Sequence, residues 1–453
     1  MFDTNTIVAA ATLKGHSAIG MVRLSGKNAF DIAEKTFRSK HIKLCDCQSN
    51  TATFGLFHEG DRLIDECIFT VFRSPKSYTG EDMIEISHHG SPFIQQQILY
   101  ALISCGARIA TEGEFTKRAF LNGKLNLSQA EAIADVIAAD NRIAHSLAMK
   151  QLRGGYNDKL KSLRADLLNL CGLLELELDF SEEDVTFANR SQLHAILLNV
   201  RTEIKQLLDS FALGNAFRKG YAVAIAGKPN SGKSTLLNTL LKDNRSIVSD
   251  IEGTTRDTVE EVLNLGGFDF RFIDTAGLRS NSDNVIENEG ISRSYKAIEQ
   301  ANAVIYLFDL TKTDAESINN ELEALKHNVN WDNKHLILAG NKCDMANCNY
   351  ENLIPVSASK QQNINILIDK LISIVQQSNV ENRTVITNAR HFESMQEADK
   401  STASALAAFE SGMPTDIIAT EVRTIIHHLG AITGEITTEE ILGTIFSRFC
   451  IGK

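Results

Sequence analysis

The chain has 453 residues, of which 43% are hydrophobic and 23% charged, with a formal net charge of −11. That length points to about three domains rather than one core, and the composition is that of a soluble globular protein and excludes a mainly disordered one. The acidic balance argues against a chain that grips nucleic acid broadly by counterion release, so any RNA would find much of its positive surface on another subunit.

The opening MFDTNTIVAAATLKG lacks the basic start and long apolar core of a secretory signal, and no run of about 18 apolar residues follows. The expectation is a cytoplasmic protein without a membrane partner. Residues 1–120 mix β-like runs (NTIVAAAT, IGMVRLSG, ATFGLFHEG, CIFTVFRS, DMIEISHHG) with the helical PFIQQQILYALISCG, which predicts a small α+β domain. At Ser128 the pattern changes. Ser128 and Glu131 have capping-box spacing, and Ala132, Ile133, Val136 and Ile137 mark one helical face, so residues 121–215 read as helix.

Between 216 and 379, apolar strands (YAVAIAG, FDFRFIDTAG, NAVIYLFDL, KHLILAGNKCD, LIPVSAS) alternate with helical stretches, the pattern of a doubly wound parallel sheet. The polar QQSNVENR closes it, and residues 380–453 return to helix. There Thr437 and Glu440 cap a last helix whose Ile441, Leu442, Ile445, Phe446 and Phe449 face inward. The fold expected is multidomain α/β: an N-terminal α+β domain, and a helical domain in two parts interrupted by an inserted α/β domain. Eight cysteines (45, 47, 67, 105, 171, 343, 348, 450) lie scattered without CxxC pairs, which predicts mostly reduced, buried thiols. His88–His89 and His427–His428 have no metal-ligand partner pattern and read as structural.

The most informative stretch is GKPNSGKST, residues 227–235. Gly227 to Ser234 fits GxxxxGK[ST] between a predicted strand and the predicted helix TLLNTLL, the context a P-loop requires. Amides of the loop, through Asn230, Ser231 and Gly232 to Thr235, would wrap phosphates; Lys233 would pair with the terminal ones and the Ser234 hydroxyl would hold Mg²⁺. In DTAG, Asp274 stands just outside the Mg²⁺ ligands, Thr275 and Ala276 follow, and the Gly277 amide can meet the γ-phosphate. In NKCD, beside Asn341 and Lys342, Asp344 can accept hydrogen bonds from guanine N1 and N2, a pattern adenine cannot supply. Ser357 and Ala358 can offer amides to guanine O6. Between loop and DTAG lies SDIEGTTRD, in which Ser249, Asp250, Ile251, Glu252, Gly253 and Thr254 lead to Thr255, placed to close over Mg²⁺. A plain glycine turn would not bring five such elements in order. Ras-like P-loop GTPases carry a glutamine after DTAG to orient water; here Leu278 stands there, so hydrolysis needs another device.

With these motifs, NTIVAAAT, VRLSG, SYTGED, GEFTKRAFLNGKLNLSQAEAIADVI and the terminal FCIGK, the chain resembles the MnmE (TrmE) family of tRNA-modification GTPases along its whole length. The resemblance implies a homodimer that forms a heterotetramer with an MnmG-type FAD protein, FAD residing in that partner. The complex would build an aminomethyl or 5-carboxymethylaminomethyl group on the wobble uridine of certain tRNAs, with a one-carbon unit from 5-formyl- or methylene-tetrahydrofolate. It implies that the N-terminal domain dimerises and that Arg23, Glu85, Lys124 and Lys453 line a folate site. It implies K⁺ coordination by Asn230, Ser249, Ile251 and Thr254 when two G domains meet, in place of an arginine finger. Glu287 would orient water, with Glu289 as its rival in the spacing. Cys450 would serve the modification step, although its own position at a helix C-terminus disfavours thiolate and equally suits a packed or folate-lining thiol. Two other readings stand beside this one. The first is a ribosome-assembly GTPase of Era or Der type, which calls for a basic appendage where this chain has the acidic LLELELDFSEED. The second is a folate-dependent one-carbon transferase regulated by its G domain.

Overall fold

The structure, a computed structural model, describes residues 5–40, 42–179, 190–243, 260–273, 295–332, 334–346, 349–377, 384–447, 449 and 451–452. It divides into two compact units. The first comprises residues 1–137, 151–193 and 407–453; the second comprises residues 138–150 and 194–406.

The first unit is built on a seven-stranded sheet of order β3 (Phe37–Arg38), β4 (Thr51–Glu59), β5 (Arg62–Phe72), β6 (Met83–His89), β2 (Ile19–Ser25), β1 (Ile7–Ala10) and β7 (Arg108–Ile109), antiparallel except where β1 pairs with β7. Period-two patterning dictates its faces. In β5 (Arg62–Phe72), Cys67, Phe69 and Val71 point into the core while Glu66 and Ile68 are exposed. Helices α1 (Ala29–Thr36) and α2 (Pro92–Ser104) cover the buried face with Phe30, Ile32, Ile98 and Leu102. The same unit holds α3 (Glu114–Leu121), α4 (Leu127–Ile137) and α6 (Asn157–Asp179). Leu160, Leu163, Leu167, Leu170 and Leu174 recur every three or four residues of α6, the stripe of a helix packed along one side.

The cap of α4 differs from the expected Ser128–Glu131 pair. Asn126 Oδ1 accepts from the Gln129 amide (2.8 Å) and Gln129 Oε1 accepts from the Asn126 amide (3.1 Å), a reciprocal box two residues earlier. The Ser128 hydroxyl is instead drawn to Asn126 Oδ1 and to buried Asn157 Oδ1 (2.7 Å). The buried positions of α4 accordingly centre on Leu127, Ala130 and Ala132, and Ile137 is exposed.

In the second unit the sheet runs β13 (Leu353–Pro355), β12 (His335–Asn341), β11 (Ala303–Asp309), β8 (Tyr221–Ala226), β10 (Phe268–Phe272) and β9 (Glu261–Leu265), parallel except for β9, which pairs antiparallel with β10 at the edge. Central β8 (Tyr221–Ala226) is buried at every position, which is why YAVAIA is a continuous apolar run. Helices α8 (Lys233–Asp243), α9 (Ala315–Asn328) and α10 (Ile364–Gln377) belong to the sheet, and Ile143 and Leu147 of α5 (Arg142–Leu152) enter its core beside Tyr221 and Phe270.

The chain enters this sheet from α7 (Arg190–Lys219) and leaves through residues 384–388, and the two passages are fastened to each other. Ser210 Oγ accepts from the Ile386 amide (3.1 Å), Arg218 Nη1 donates to Thr387 O (3.3 Å), and the Phe211 and Phe392 rings stack at 4.1 Å.

After α11 (Ala389–Glu410) and α12 (Thr415–Thr433), the last helix, α13 (Glu439–Phe446), is capped by Thr438, whose hydroxyl accepts from Ile441 N (3.3 Å), one residue beyond the expected Thr437. Its Leu442, Ile445 and Phe446, with Phe449, bury against Leu127 and Ala130, and Ile441 packs beside them, as the spacing predicts. Of the six described cysteines only Cys67 and Cys171 are buried; Cys45 is exposed and three are half-buried, because polar turns rather than core strands carry Cys45, Cys47 and Cys343.

Candidate functional site

The end of β8 runs into the glycine loop, and α8 begins at Lys233, so the unpaired amides of its first turn open toward the loop. Lys233 Nζ donates to Gly227 O (2.8 Å) and Lys228 O (2.9 Å), and burial lowers its pKa. Ser234 and Thr235 occupy that first turn. Asn230 adopts a left-handed backbone, φ 62°, at the crest of the loop. Lys228 is exposed and pairs with Glu321 of α9 (2.5 Å).

The opposite wall comes from the ends of β11 (Ala303–Asp309), β12 (His335–Asn341) and β13 (Leu353–Pro355). Asn341 is buried and ties three motifs together: its Nδ2 donates to Ser231 O (2.8 Å) and its Oδ1 accepts from Ala358 N (3.0 Å). Gly232 has φ 97°, and a Cβ there would stand 2.1 Å from Asn341 Nδ2, so only glycine fits. Thr239 of α8 donates to Ala358 O (2.9 Å). The Ser357 amide donates to Gln362 O and the Ala358 amide to Asn341, so both already serve the turn itself.

Register places Asp309 opposite Asn341. Lys342, with φ 66°, carries its ammonium to Asp309 Oδ2 (2.5 Å), while Asp309 Oδ1 accepts from Thr311 N (3.1 Å) and Thr311 Oγ1 (2.6 Å). Burial raises the Asp309 pKa, and the Lys342 and Thr311 bonds outweigh it and bring it below the usual range. Asp344 follows in an exposed turn. Sequence reasoning passed over Asp309 and Thr239; the position of Asp309 at the carboxyl end of a parallel strand was the available signal.

A second cluster lies in the first unit. Arg23 and Glu85 face each other across β2 (Ile19–Ser25) and β6 (Met83–His89), and Arg23 Nε and Nη2 both donate to Glu85 Oε1, at 2.9 and 2.7 Å. Arg23 Nη1 donates to Gly452 O (3.2 Å), and its guanidinium lies 5.6 Å from the ring centres of both Tyr78 and Phe115. Ile451 bridges to Glu112, and Gly452, φ 102°, lies so close that a Cβ would stand 2.2 Å from Ala10 O. Lys124 Nζ is bonded to Pro75 O (3.0 Å). The structure thus brings Arg23, Glu85 and Gly452 together, whereas Lys124 is held on the 75–82 loop. Beside it, buried Glu114 joins Arg108 (2.7 Å) and Arg118 (2.9 Å).

Ser249, Asp250, Ile251, Glu252, Gly253, Thr254, Thr255, Asp274, Thr275, Ala276, Gly277, Glu287, Glu289, Cys450 and Lys453 lie outside the described residues. No helix among the described residues is long and apolar enough to cross a membrane.

Residues 6–124 match the family model of the GTP-binding protein TrmE N-terminus, and residues 127–450 match that of the MnmE helical domain. The tRNA modification GTPase MnmE of Cytophaga hutchinsonii is 45% identical over 99% of this chain and 98% of its own length. Those of Flavobacterium psychrophilum and Porphyromonas gingivalis are each 44% identical over the whole chain and over 100% and 99% of their own lengths.

Proposed function

The chain belongs to the MnmE (TrmE) family of tRNA modification GTPases, and on that premise we propose that it hydrolyses GTP to drive wobble-uridine modification with a flavoprotein partner. The observation that carries the nucleotide reading is the bracing of Asn341 to both the phosphate loop and the Ala358 turn, which assembles phosphate and base subsites as one rigid body.

Lys233 would leave the Gly227 and Lys228 carbonyls in part to meet the terminal phosphates, and Asp344 would accept from the guanine N1 and N2 donors. Ser234 stands where Mg²⁺ would be held, and Asn230, raised at the loop crest by its left-handed backbone, fits an oxygen ligand for K⁺. When bound, both cations supply positive charge beside the phosphate oxygens. In this reading, pairing of two G domains completes the K⁺ site and stands in for the missing glutamine.

For the folate, Glu85 Oε2 takes no hydrogen bond among the described residues and suits pterin N–H donors. Arg23 fits a glutamyl carboxylate less well, since Glu85 and Gly452 occupy its donors; it would orient Glu85 instead. We assign the homodimer, the FAD partner and the tetrahydrofolate one-carbon unit to the same scheme. GTP turnover compared in KCl and NaCl tests the hydrolytic part, with several-fold faster turnover expected in KCl; equal rates would remove the K⁺ step. Mass analysis of wobble nucleosides from cells lacking the protein tests the rest, and unaltered uridines there would overturn it.

A further inference from the structure

We propose that Asp309 is a specificity-positioning residue: it sequesters the Lys342 ammonium so that Asp344 stays available to the guanine edge. The inference rests on the guanine-nucleotide reading above.

Three observations carry it. First, Lys342 and Asp344 are two residues apart just beyond the carboxyl end of β12, and a lysine on a flexible four-carbon stem can reach the exposed carboxylate when nothing else holds the ammonium. Such a pair would occupy the oxygens that have to receive guanine N1 and N2. Second, the structure shows the competition resolved in advance. Lys342 Nζ lies 2.5 Å from Asp309 Oδ2, and Asp344 makes no ion pair among the described residues. Third, Asp309 is built for this task. Its side chain is 9% exposed, β11–β12 register sets it against Asn341, and two Thr311 bonds to Oδ1 leave Oδ2 turned to the lysine. A carboxylate already desolvated and oriented wins over a solvated one two residues away, because no further ordering is required of it. Asp309 touches no nucleotide in this scheme; it acts through Lys342.

The test is GDP affinity and GTP kinetics of the full chain carrying Asp309→Asn, an isosteric change that keeps an acceptor for Thr311 and removes the anion. Expected is a GDP Kd raised about 3- to 5-fold, as an exposed competing ion pair allows, with KM for GTP rising more than kcat falls. In a Lys342→Met background, where no ammonium competes for Asp344, the same Asp309→Asn change should cost less than about 2-fold. A role in support of the fold alone would cost the same in both backgrounds, and that result overturns the proposal. Unchanged GDP affinity in the single variant overturns it as well. So does failure of both Asp309→Asn and Asp309→Ser to fold, since a positioning role leaves the fold intact. Wild-type chain that binds no GDP would instead sink the nucleotide reading itself, which separates the two failures.

Discussion

Replacing Asn341 with alanine tests whether that side chain is structural mortar before it is a base contact. The change leaves two buried groups unpaired, the Ser231 carbonyl and the Ala358 amide, on residues 1% and 2% exposed. Each orphaned group costs about 1–3 kcal/mol, so the nucleotide-free protein should lose about 2–6 kcal/mol. The chain has one tryptophan, Trp331, which packs on the core of the second unit and reports unfolding there without interference from the first. Urea unfolding followed by its fluorescence should show a midpoint lowered by about 1–3 M, for a slope near 2 kcal/mol/M. Asn341→Asp keeps the acceptor for Ala358 but sets a carboxylate oxygen against Ser231 O, and it should destabilise at least as much. An unchanged midpoint for Asn341→Ala, measured without nucleotide, would refute the reasoning and leave Asn341 as a contact to ligand only.

Two further outcomes concern the first unit. Burial raises the Glu114 pKa, but the bonds from Arg108, the Thr111 amide and Arg118 overcome this and bring it from the ordinary 4.5 down to about 2. A carboxylate depressed on folding stabilises fully above its unfolded value and loses that contribution as pH falls through the folded one. About 3 kcal/mol should therefore vanish between pH 4.5 and 2, and calorimetry of Glu114→Gln should show that acid loss reduced. Gly452→Ala would push a methyl into Ala10 O and should undock the terminal residues. Carboxypeptidase should then release them many times faster than from wild type, and equal release rates would count against the docking.

Elements whose evidence is local were legible. The P-loop, the buried parallel strands and the inward face of α13 each announce themselves within about ten residues, because a phosphate loop needs its glycines and a strand covered on both faces must be apolar throughout. The helix starts were harder: Asn126 and Thr438 won over Ser128 and Thr437, in the first case because Asn157, 29 residues from Ser128, takes that serine's hydroxyl. The candidate site divides the same way. Lys233 and Asn341 follow from motif spacing, but the second function of Asn341 as a brace and the whole role of Asp309 depend on strand register, which no single stretch encodes. Likewise the Arg23–Glu85 pair joins residues 62 apart, and only the β2–β6 alignment shows that the two charges consume one another.

The lacing of α7 to residues 384–388 has a consequence for how this architecture can be taken apart. Between Ser210 and Ile386 the chain departs for 175 intervening residues and comes back to a hydrogen bond's distance of where it left. Departure and return at one spot is the geometry of a loop that has been enlarged, whatever the size of the enlargement. A short linker joining those two points should let the two passages close over the excision, whereas the excised piece would lose Ile143 and Leu147 of α5 from its core and should be less stable for it.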